Sequence, residues 1–350
     1  MSEAKRPGAA FWNGRKVLIT GHTGFKGAWL TLWLSSLGAR VTGLSDGVPT
    51  RPSLYELARV QEGVHDVRAD VRDAAAVADA VAEADPEVIL HLAAQPLVRR
   101  SFAAPAETFA VNVVGTAHVL DAARAAPNVG AIVVVTSDKC YAPGPHPHGE
   151  DDPLGGDDPY SSSKAGAELV AASYRDSFGL PLATGRAGNV IGGGDWGADR
   201  LMPDVLAAAL DGRAVQLRNP GAVRPWQHVL NPLAGYLLLA EALYADPAAF
   251  GSGWNFGPDP GDELGVRALV ERIADLWGTP IEVAVQPGEH PPEAPTLRLV
   301  SSKAAERLGW RPAWGLDEGL QAIVEWSRAL RAGEDLRAVT LAQIERYGAS

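Results

Sequence analysis

The first half of the chain repeats one pattern. Short runs that are apolar at nearly every position alternate with longer stretches whose apolar residues recur every three or four places. "KVLIT" (16–20) precedes "GAWLTLWLSSLG" (27–38), which has helical spacing and a glycine stop at Gly38. "RVTGLS" (40–45) and "VHDVRADV" (64–71) predict a second and a third strand, and "DAAAVADAVAEA" (73–84) a helix. "EVILHLAA" (87–94) predicts a fourth strand and "ETFAVNVVGTAHVLDAARAA" (107–126) a helix. "GAIVVVTS" (130–137) predicts a fifth strand, "PYSSSKAGAELVAASYRDSFG" (159–179) a helix, and "PLATGRAGNVIG" (181–192) a sixth strand and its exit. Strands with no polar face must be covered on both sides, and alternation with helices makes them parallel.

From about residue 190 the texture changes: Gly, Pro and Trp become frequent and the elements shorten. "LMPDVLAAALDG" (201–212), "LGVRALVERIADLWG" (264–278), "SSKAAERLGW" (301–310) and "DEGLQAIVEWSRALRAG" (317–333) read as helices. The expected fold class is therefore α/β, a Rossmann-type doubly wound parallel sheet with a smaller α/β carboxyl-terminal domain. The expected division is a dinucleotide domain over 1–188, to which 229–258 returns, and a substrate domain over 189–350. Such sheets bind ligands outside the carboxyl ends of their strands. The strand exits at Gly21, Ala93, Ser137 and Asn189 thus matter most.

Composition narrows the function. The chain has 350 residues and a net charge of −11, with no basic run. Nonspecific nucleic-acid binding is not expected. The one cysteine, Cys140, permits no disulfide framework and fits a reducing compartment. It reads as a small buried residue rather than a nucleophile. The start, "MSEAKRPGAA", has no apolar leader core, and "PLAGYLLLAEALY" (232–244) is too short to span a bilayer and carries Glu241. A soluble cytoplasmic protein is expected.

Three motifs carry chemistry. Gly21, Gly24 and Gly27 follow the first strand and open a helix in "VLITGHTGFKGAWL". Glycines there permit a tight turn and let backbone approach a pyrophosphate, which the helix amino end favours. At the end of the second strand stand Ser45 and Asp46, which leaves NAD and NADP both open. Asp70, beside Val71, reads equally as an adenine neighbour or as a helix cap or loop acid. In the second motif, Tyr160 and Lys164 stand four apart on a helix that Asp158 caps and Pro159 begins. A phenol is a poor base at neutral pH, and a neighbouring ammonium favours the phenolate. The third motif is Ser137-Asp138-Lys139 at the fifth strand's exit. The hydroxyl suits a substrate alcohol held between Ser137 and Tyr160. The acid beside a base is surplus to a simple dehydrogenase, and a strand-end salt bridge or cap is the other reading.

"FWNGRKVLITGHTGFKGAWL", "LHLAAQPLVRRS", "VTSDKCY", "DPYSSSKAGAELV", "RAGNVIGGGDWGADRLMPD", "VRPWQHVLNPLAGYLLLAE" and "GWNFGP" follow in order along nearly the whole chain. With them the sequence resembles the extended short-chain dehydrogenase/reductases, and within those the CDP-glucose 4,6-dehydratase branch. The resemblance implies NAD as cofactor and a nucleotide-diphosphate sugar, CDP-glucose, as substrate. It implies oxidation at C4 with Tyr160 taking the hydroxyl proton, loss of the C5 proton and the C6 hydroxyl as water, and return of hydride to C6. Asp138 fits the acid, and Lys139, where many sugar-nucleotide dehydratases carry glutamate, the C5 base. Implied cofactor contacts are Gly21, Thr23, Gly24, Phe25, Lys26, Gly27, Asp70, Val71, Ala93, Ala94, Gln95, Asn112, Tyr160 and Lys164. Implied substrate contacts are Gln95, Asn189, Trp196, Arg200 and Arg224, with the run from Gly192 to Trp196 on the same side. Arginines suit a diphosphate because their planar fork binds it in bidentate fashion. Relatives commonly pair through two helices, here 106–126 and 159–178, so a homodimer or homotetramer is expected.

Two stretches depart from the pattern. "APGPHPHGE" (142–150) is shorter than the corresponding loop, and "TLRLVSSKA" (296–304) follows the family only loosely. His146 and His148 suggest metal, but no third ligand is evident in the sequence, and a Pro-rich surface loop without metal is expected. A C4 epimerase or decarboxylase of the same fold needs no Asp138-Lys139 pair. A cofactor-binding regulator without turnover has no need of Tyr160, Lys164 and Asp138 together.

Overall fold

The computed structural model describes residues 4–285 and 297–350. Its centre is a seven-stranded parallel sheet. The strands β1 (Lys16–Thr20), β2 (Arg40–Ser45), β3 (His65–Arg68), β4 (Val88–His91), β5 (Ala131–Val135) and β6 (Leu182–Arg186) are joined by the strand Gly253–Asn255. Their order is 3-2-1-4-5-6, with Gly253–Asn255 outside β6. This is the doubly wound order, with its reversal between β1 and β4. Glycine at Gly43 of β2 is dictated by packing, since a Cβ there would lie 2.3 Å from the buried His22 ring.

The helices of more than ten residues are α1 (Phe25–Ser36), α2 (Ala74–Ala84), α3 (Gly115–Ala125), α4 (Pro159–Phe178), α5 (Leu201–Asp211), α6 (Leu230–Ala245), α7 (Val266–Trp277), α8 (Leu316–Ala332) and α9 (Leu336–Gly348). Alternate strand residues serve two cores. Val17, Ile19, Val88, Leu90 and Val133 join Trp29 and Trp33 of α1 and Leu237 of α6 on one face. Leu18, Ile89, Ile132 and Val134 join Val77 and Val81 of α2, Leu120 of α3 and Ala171 of α4 on the other. This two-sided burial is why the strands read apolar throughout. The stretch 107–126 is not one regular helix, because a π-turn at Ala110–Val114 precedes α3.

A third core belongs to a smaller lobe. Met202, Val205 and Leu206 of α5 pack with Leu269, Val270 and Ile273 of α7 and Leu320 and Ile323 of α8. Three short strand pairs edge it: Val215–Leu217 with Val283–Val285, Val223–Pro225 with Glu263–Gly265, and Val190–Ile191 with Gln227–His228. The final helix, α9, turns back to the sheet, where Tyr347 meets Trp33 of α1 edge-on at 5.6 Å. Of the stretch 296–304, Thr296 lies outside the described residues.

Candidate active site at the strand exits

The β1–α1 turn is built for close approach. Gly21 has φ +77°, and a Cβ there would lie 2.7 Å from the Ala93 amide nitrogen. A Cβ at Gly27 would come within 2.1 Å of the Gly21 carbonyl oxygen. Gly24 caps α1 with no side-chain hydrogen bond, so the cap leaves the first-turn N–H groups of Phe25, Lys26 and Gly27 without a side-chain acceptor. That is the donor set an anionic diphosphate requires, and the residues fit a dinucleotide cofactor. Thr23 closes the turn by donating to the Gly47 carbonyl at 2.6 Å. Beneath the exit of β2 runs a buried chain. Ser45 Oγ meets His22 Nδ1 at 3.0 Å, and His22 Nε2 meets Asp66 Oδ1 at 3.0 Å. Asp46 stays exposed beside it.

The other expected cofactor residues separate into lining and supporting groups. Asp70 pairs with Arg72 at 2.5 Å, and Asp73 caps α2 instead, so Asp70 is a loop acid rather than a cap. Val71 is buried against Gly115, where a Cβ would lie 2.8 Å from its Cγ2. Ala93 and Ala94 follow β4 opposite Gly21. Gln95 spends both ends of its side chain inside the fold: its amide donates to Thr108 Oγ1 at 2.9 Å, and its carbonyl accepts from Leu97 N at 2.6 Å. Asn112, in the π-turn, donates to Ser163 Oγ at 2.8 Å and accepts from Gln95 N at 2.8 Å. Ser163 in turn donates to the Tyr160 carbonyl at 2.7 Å. Asn112 thus steadies the turn of α4 that carries Tyr160.

The exit of β5 meets α4. Asp158 accepts from Ser161 N and Pro159 opens the helix, fixing where Tyr160 and Lys164 stand. Ser137 donates to Asp138 Oδ1 at 2.8 Å and accepts from Lys139 N at 3.2 Å, beside the Tyr160 phenol. The Asp138 side chain is buried, and Gly188 makes room for it, since a Cβ there would lie 1.9 Å from Oδ2. Burial pushes the Tyr160 phenol up to about 12, while Ser137 and the charge of Arg200 pull it down. Burial draws the Lys164 ammonium down to about 8, and its Nζ donates to the Val135 carbonyl at 3.3 Å. Lys26 is drawn down to about 7 by burial and by the nearby Arg200 and Lys164 charges. Lys139 is half-buried at the same exit.

On the substrate side, Arg200 pairs with the buried Asp195 at 2.8 Å. Trp196 stands edge-on to Trp326 at 5.8 Å. Asn189 holds a left-handed φ of +51° at the exit of β6. Arg224 lies on the lobe strand Val223–Pro225 and donates to the Val223 carbonyl at 3.0 Å. His146 and His148 correct the sequence reading, because folding brings a third metal-ligating group, Asp152, to the same loop.

Sequence reasoning missed two residues. Glu168 stands one turn beyond Lys164, and its charge opposes the fall of that ammonium's pKa. It also receives Arg186 Nη2 at 2.7 Å and Thr184 Oγ1 at 2.7 Å. The same four-residue spacing that pairs Tyr160 with Lys164 would have found it. Tyr236 of α6 is fully buried with its hydroxyl unpartnered among the described residues, and Asp138 and Tyr160 both raise its pKa beyond the effect of burial. Nothing in the apolar run around it marks that placement.

The comparisons with known proteins agree with this geometry. The family model described as GDP-mannose 4,6 dehydratase matches residues 18–323. The chain is 46% identical over 348 residues to a CDP-glucose 4,6-dehydratase of Salmonella typhimurium, covering 96% of this chain and 97% of that one. It is 32% identical to a UDP-glucose 4-epimerase of Mycolicibacterium smegmatis, covering 89% and 98%. Among solved structures it is similar to a dTDP-glucose 4,6-dehydratase from Streptomyces venezuelae with NAD and TYD bound. The TM-score is 0.78 at 27% identity, covering 92% of this chain and 99% of that one. The chain belongs to the GDP-mannose 4,6-dehydratase family of extended short-chain dehydrogenase/reductases.

Proposed function

We propose that this chain is an NAD-dependent CDP-glucose 4,6-dehydratase, a hydro-lyase that converts CDP-glucose to CDP-4-keto-6-deoxyglucose. The observation that carries the reading is the buried Asp138 carboxyl, held by the Ser137 hydroxyl at 2.8 Å beside the Tyr160 phenol and followed at once by Lys139. An epimerase has no use for that second acid–base pair. The full-length similarity to a CDP-glucose 4,6-dehydratase supports the same choice.

Bound NAD would supply a two-electron acceptor that takes hydride from the sugar and returns it. The β1–α1 turn would hold its diphosphate, and exposed Asp46 is the acid placed to meet a free ribose hydroxyl rather than a phosphate. Tyr160, assisted by Lys164 and Ser137, accepts the C4 hydroxyl proton. The resulting ketone acidifies C5, and Lys139 removes that proton. Asp138 protonates the departing C6 hydroxyl, so one water leaves, and Lys139 gives its proton back to C5 as the hydride is returned to C6. Arg200, Arg224, Trp196 and Asn189 hold the nucleotide diphosphate on the smaller lobe, which we assign as the substrate domain. The single buried cysteine suits a cytoplasmic setting.

We also propose a homodimer or a homotetramer. Phe109, Val114 and Leu169 are 39%, 47% and 60% exposed on adjoining helical segments, including α4. Clustered apolar side chains of this kind mark a protein–protein surface.

The test is a panel of CDP-, dTDP-, GDP- and UDP-glucose incubated with the enzyme and NAD. CDP-glucose should give a product lighter by one water, at a kcat/KM well above the others. A C4-epimerised sugar of unchanged mass would overturn the dehydratase reading, and NAD binding with no turnover of any sugar would favour a regulator.

A further inference from the structure

The geometry points to a binding site for one divalent transition-metal ion of the zinc class, formed by His146, His148 and Asp152 on the loop that leaves the active-site strand. One ligand atom from each of the three residues lies within 4.8 Å of the other two. Each imidazole nitrogen is 3.1 Å from the same carboxylate oxygen. Around a tetrahedral ion with bonds of about 2.0–2.2 Å, neighbouring ligand atoms stand roughly 3.3 Å apart. Two of the three edges already have nearly that length. The third closes by a small rotation of the His146 side chain, which is 60% exposed.

The other two ligands are held by the fold. His148 is buried, and its ring stacks on Tyr141 at 4.7 Å and 3°. Its backbone N–H donates to the Arg298 carbonyl at 2.8 Å, and its carbonyl accepts from Val300 N at 2.8 Å and Asn255 Nδ2 at 3.0 Å. Asp152 Oδ2 also receives the Gly149 N–H at 3.2 Å, and Asp152 N donates back to the Gly149 carbonyl at 3.2 Å. Proline at 147 fixes φ between the two histidines. Two imidazoles and one carboxylate form a borderline donor set, which favours zinc-class ions over calcium or magnesium. Each imidazole can carry its proton on the ring nitrogen away from Asp152 and present a lone pair to the ion, and water completes the coordination.

The site connects to the reacting groups through side chains. Tyr141 follows Asp138 by three residues; its hydroxyl donates to Asn255 Oδ1 at 2.7 Å and accepts from Arg186 Nη1 at 2.6 Å. Arg186 binds Glu168, which Thr136 also reaches at the exit of β5. An ion that fixes the His148 ring therefore steadies the strand end bearing Asp138 and Lys139. The inference does not depend on which sugar the enzyme takes.

The experiment uses chelator-stripped full-length enzyme. Zn2+ is titrated in competition with a chromophoric chelator, and Co2+ is titrated separately while its visible absorption is followed. One equivalent of Zn2+ should bind per chain at micromolar or lower Kd, and Co2+ should develop the intense bands of a tetrahedral site. His146→Ala, at an exposed position, should melt like the wild type without metal yet bind Zn2+ at least about tenfold more weakly. Asp152→Asn should weaken it likewise and remove the cobalt bands. Absence of saturable one-to-one binding up to millimolar Zn2+ would overturn the site. So would an affinity unchanged in both variants.

Discussion

Burial pulls the Tyr160 phenol and the Lys164 ammonium in opposite directions, toward about 12 and about 8, because a low-dielectric setting disfavours the charged form of each. The base form of Tyr160 therefore depends on nearby positive charge. Lys164, Arg200 and Lys26 gather it at the strand exits, with Asp138 and Asp195 as counter-charges. Lys139 lies outside this redox pair, so its loss should separate the two halves of the reaction. In Lys139→Ala, oxidation at C4 should persist while elimination falls by about 10²–10⁴. Rapid mixing with CDP-glucose should then show reduced cofactor accumulating without 4-keto-6-deoxy product. Elimination at the wild-type rate would remove Lys139 from the role of C5 base.

At the scale of elements, α4 carries three groups in succession on one face: Tyr160, Lys164 and Glu168. The third ties the helix to the sheet. Glu168 receives Arg186 of β6, Thr184 of β6 and Thr136 beyond β5, all within a buried setting. Removing one partner of a buried pair leaves the other charge uncompensated, at a cost of about 3–5 kcal/mol. Glu168→Gln should therefore lower unfolding stability by about that amount in a urea titration. A change below about 1 kcal/mol would show that the pair is exposed to solvent in solution.

For the whole molecule, two expectations follow from surface and from charge. Leu169 is the most exposed large apolar residue of the proposed dimer face. Leu169→Glu should shift the enzyme toward monomer in analytical ultracentrifugation, and an unchanged dimer would place the interface elsewhere. Acid stability is set in part by buried neutral histidines. Burial lowers His91 and His228 to about 3, and lowers His22 as well. The unfolded chain, with histidines near 6.5, then binds more protons than the folded one below that pH. Their contribution is fully present above about pH 6.5 and is lost as the pH falls toward about 3. Tm should drop through this window, and the drop should be shallower in His91→Gln whatever that variant's absolute stability. An equal slope would exclude the His91 contribution.

The alternation of apolar runs and helical periods determined the doubly wound sheet, because burial on both faces writes itself into every strand position. The turn Gly21-Gly24-Gly27 and the pair Tyr160/Lys164 were legible for a similar reason: local spacing alone places them on one loop or one helix face. The helix α9 was not, since its buried positions include Thr340 and Gln343, which dilute the apolar signal. Nor were the three-residue strands of the smaller lobe, too short for any period to show. Tertiary structure alone decided which polar groups meet. It showed that Gln95 and Asn112 brace each other, that Tyr236 is buried with its hydroxyl unpartnered among the described residues, and that Asp152 joins the histidine pair. Those contacts depend on where separate elements come to rest, and distance in space between them leaves no periodic trace along the chain.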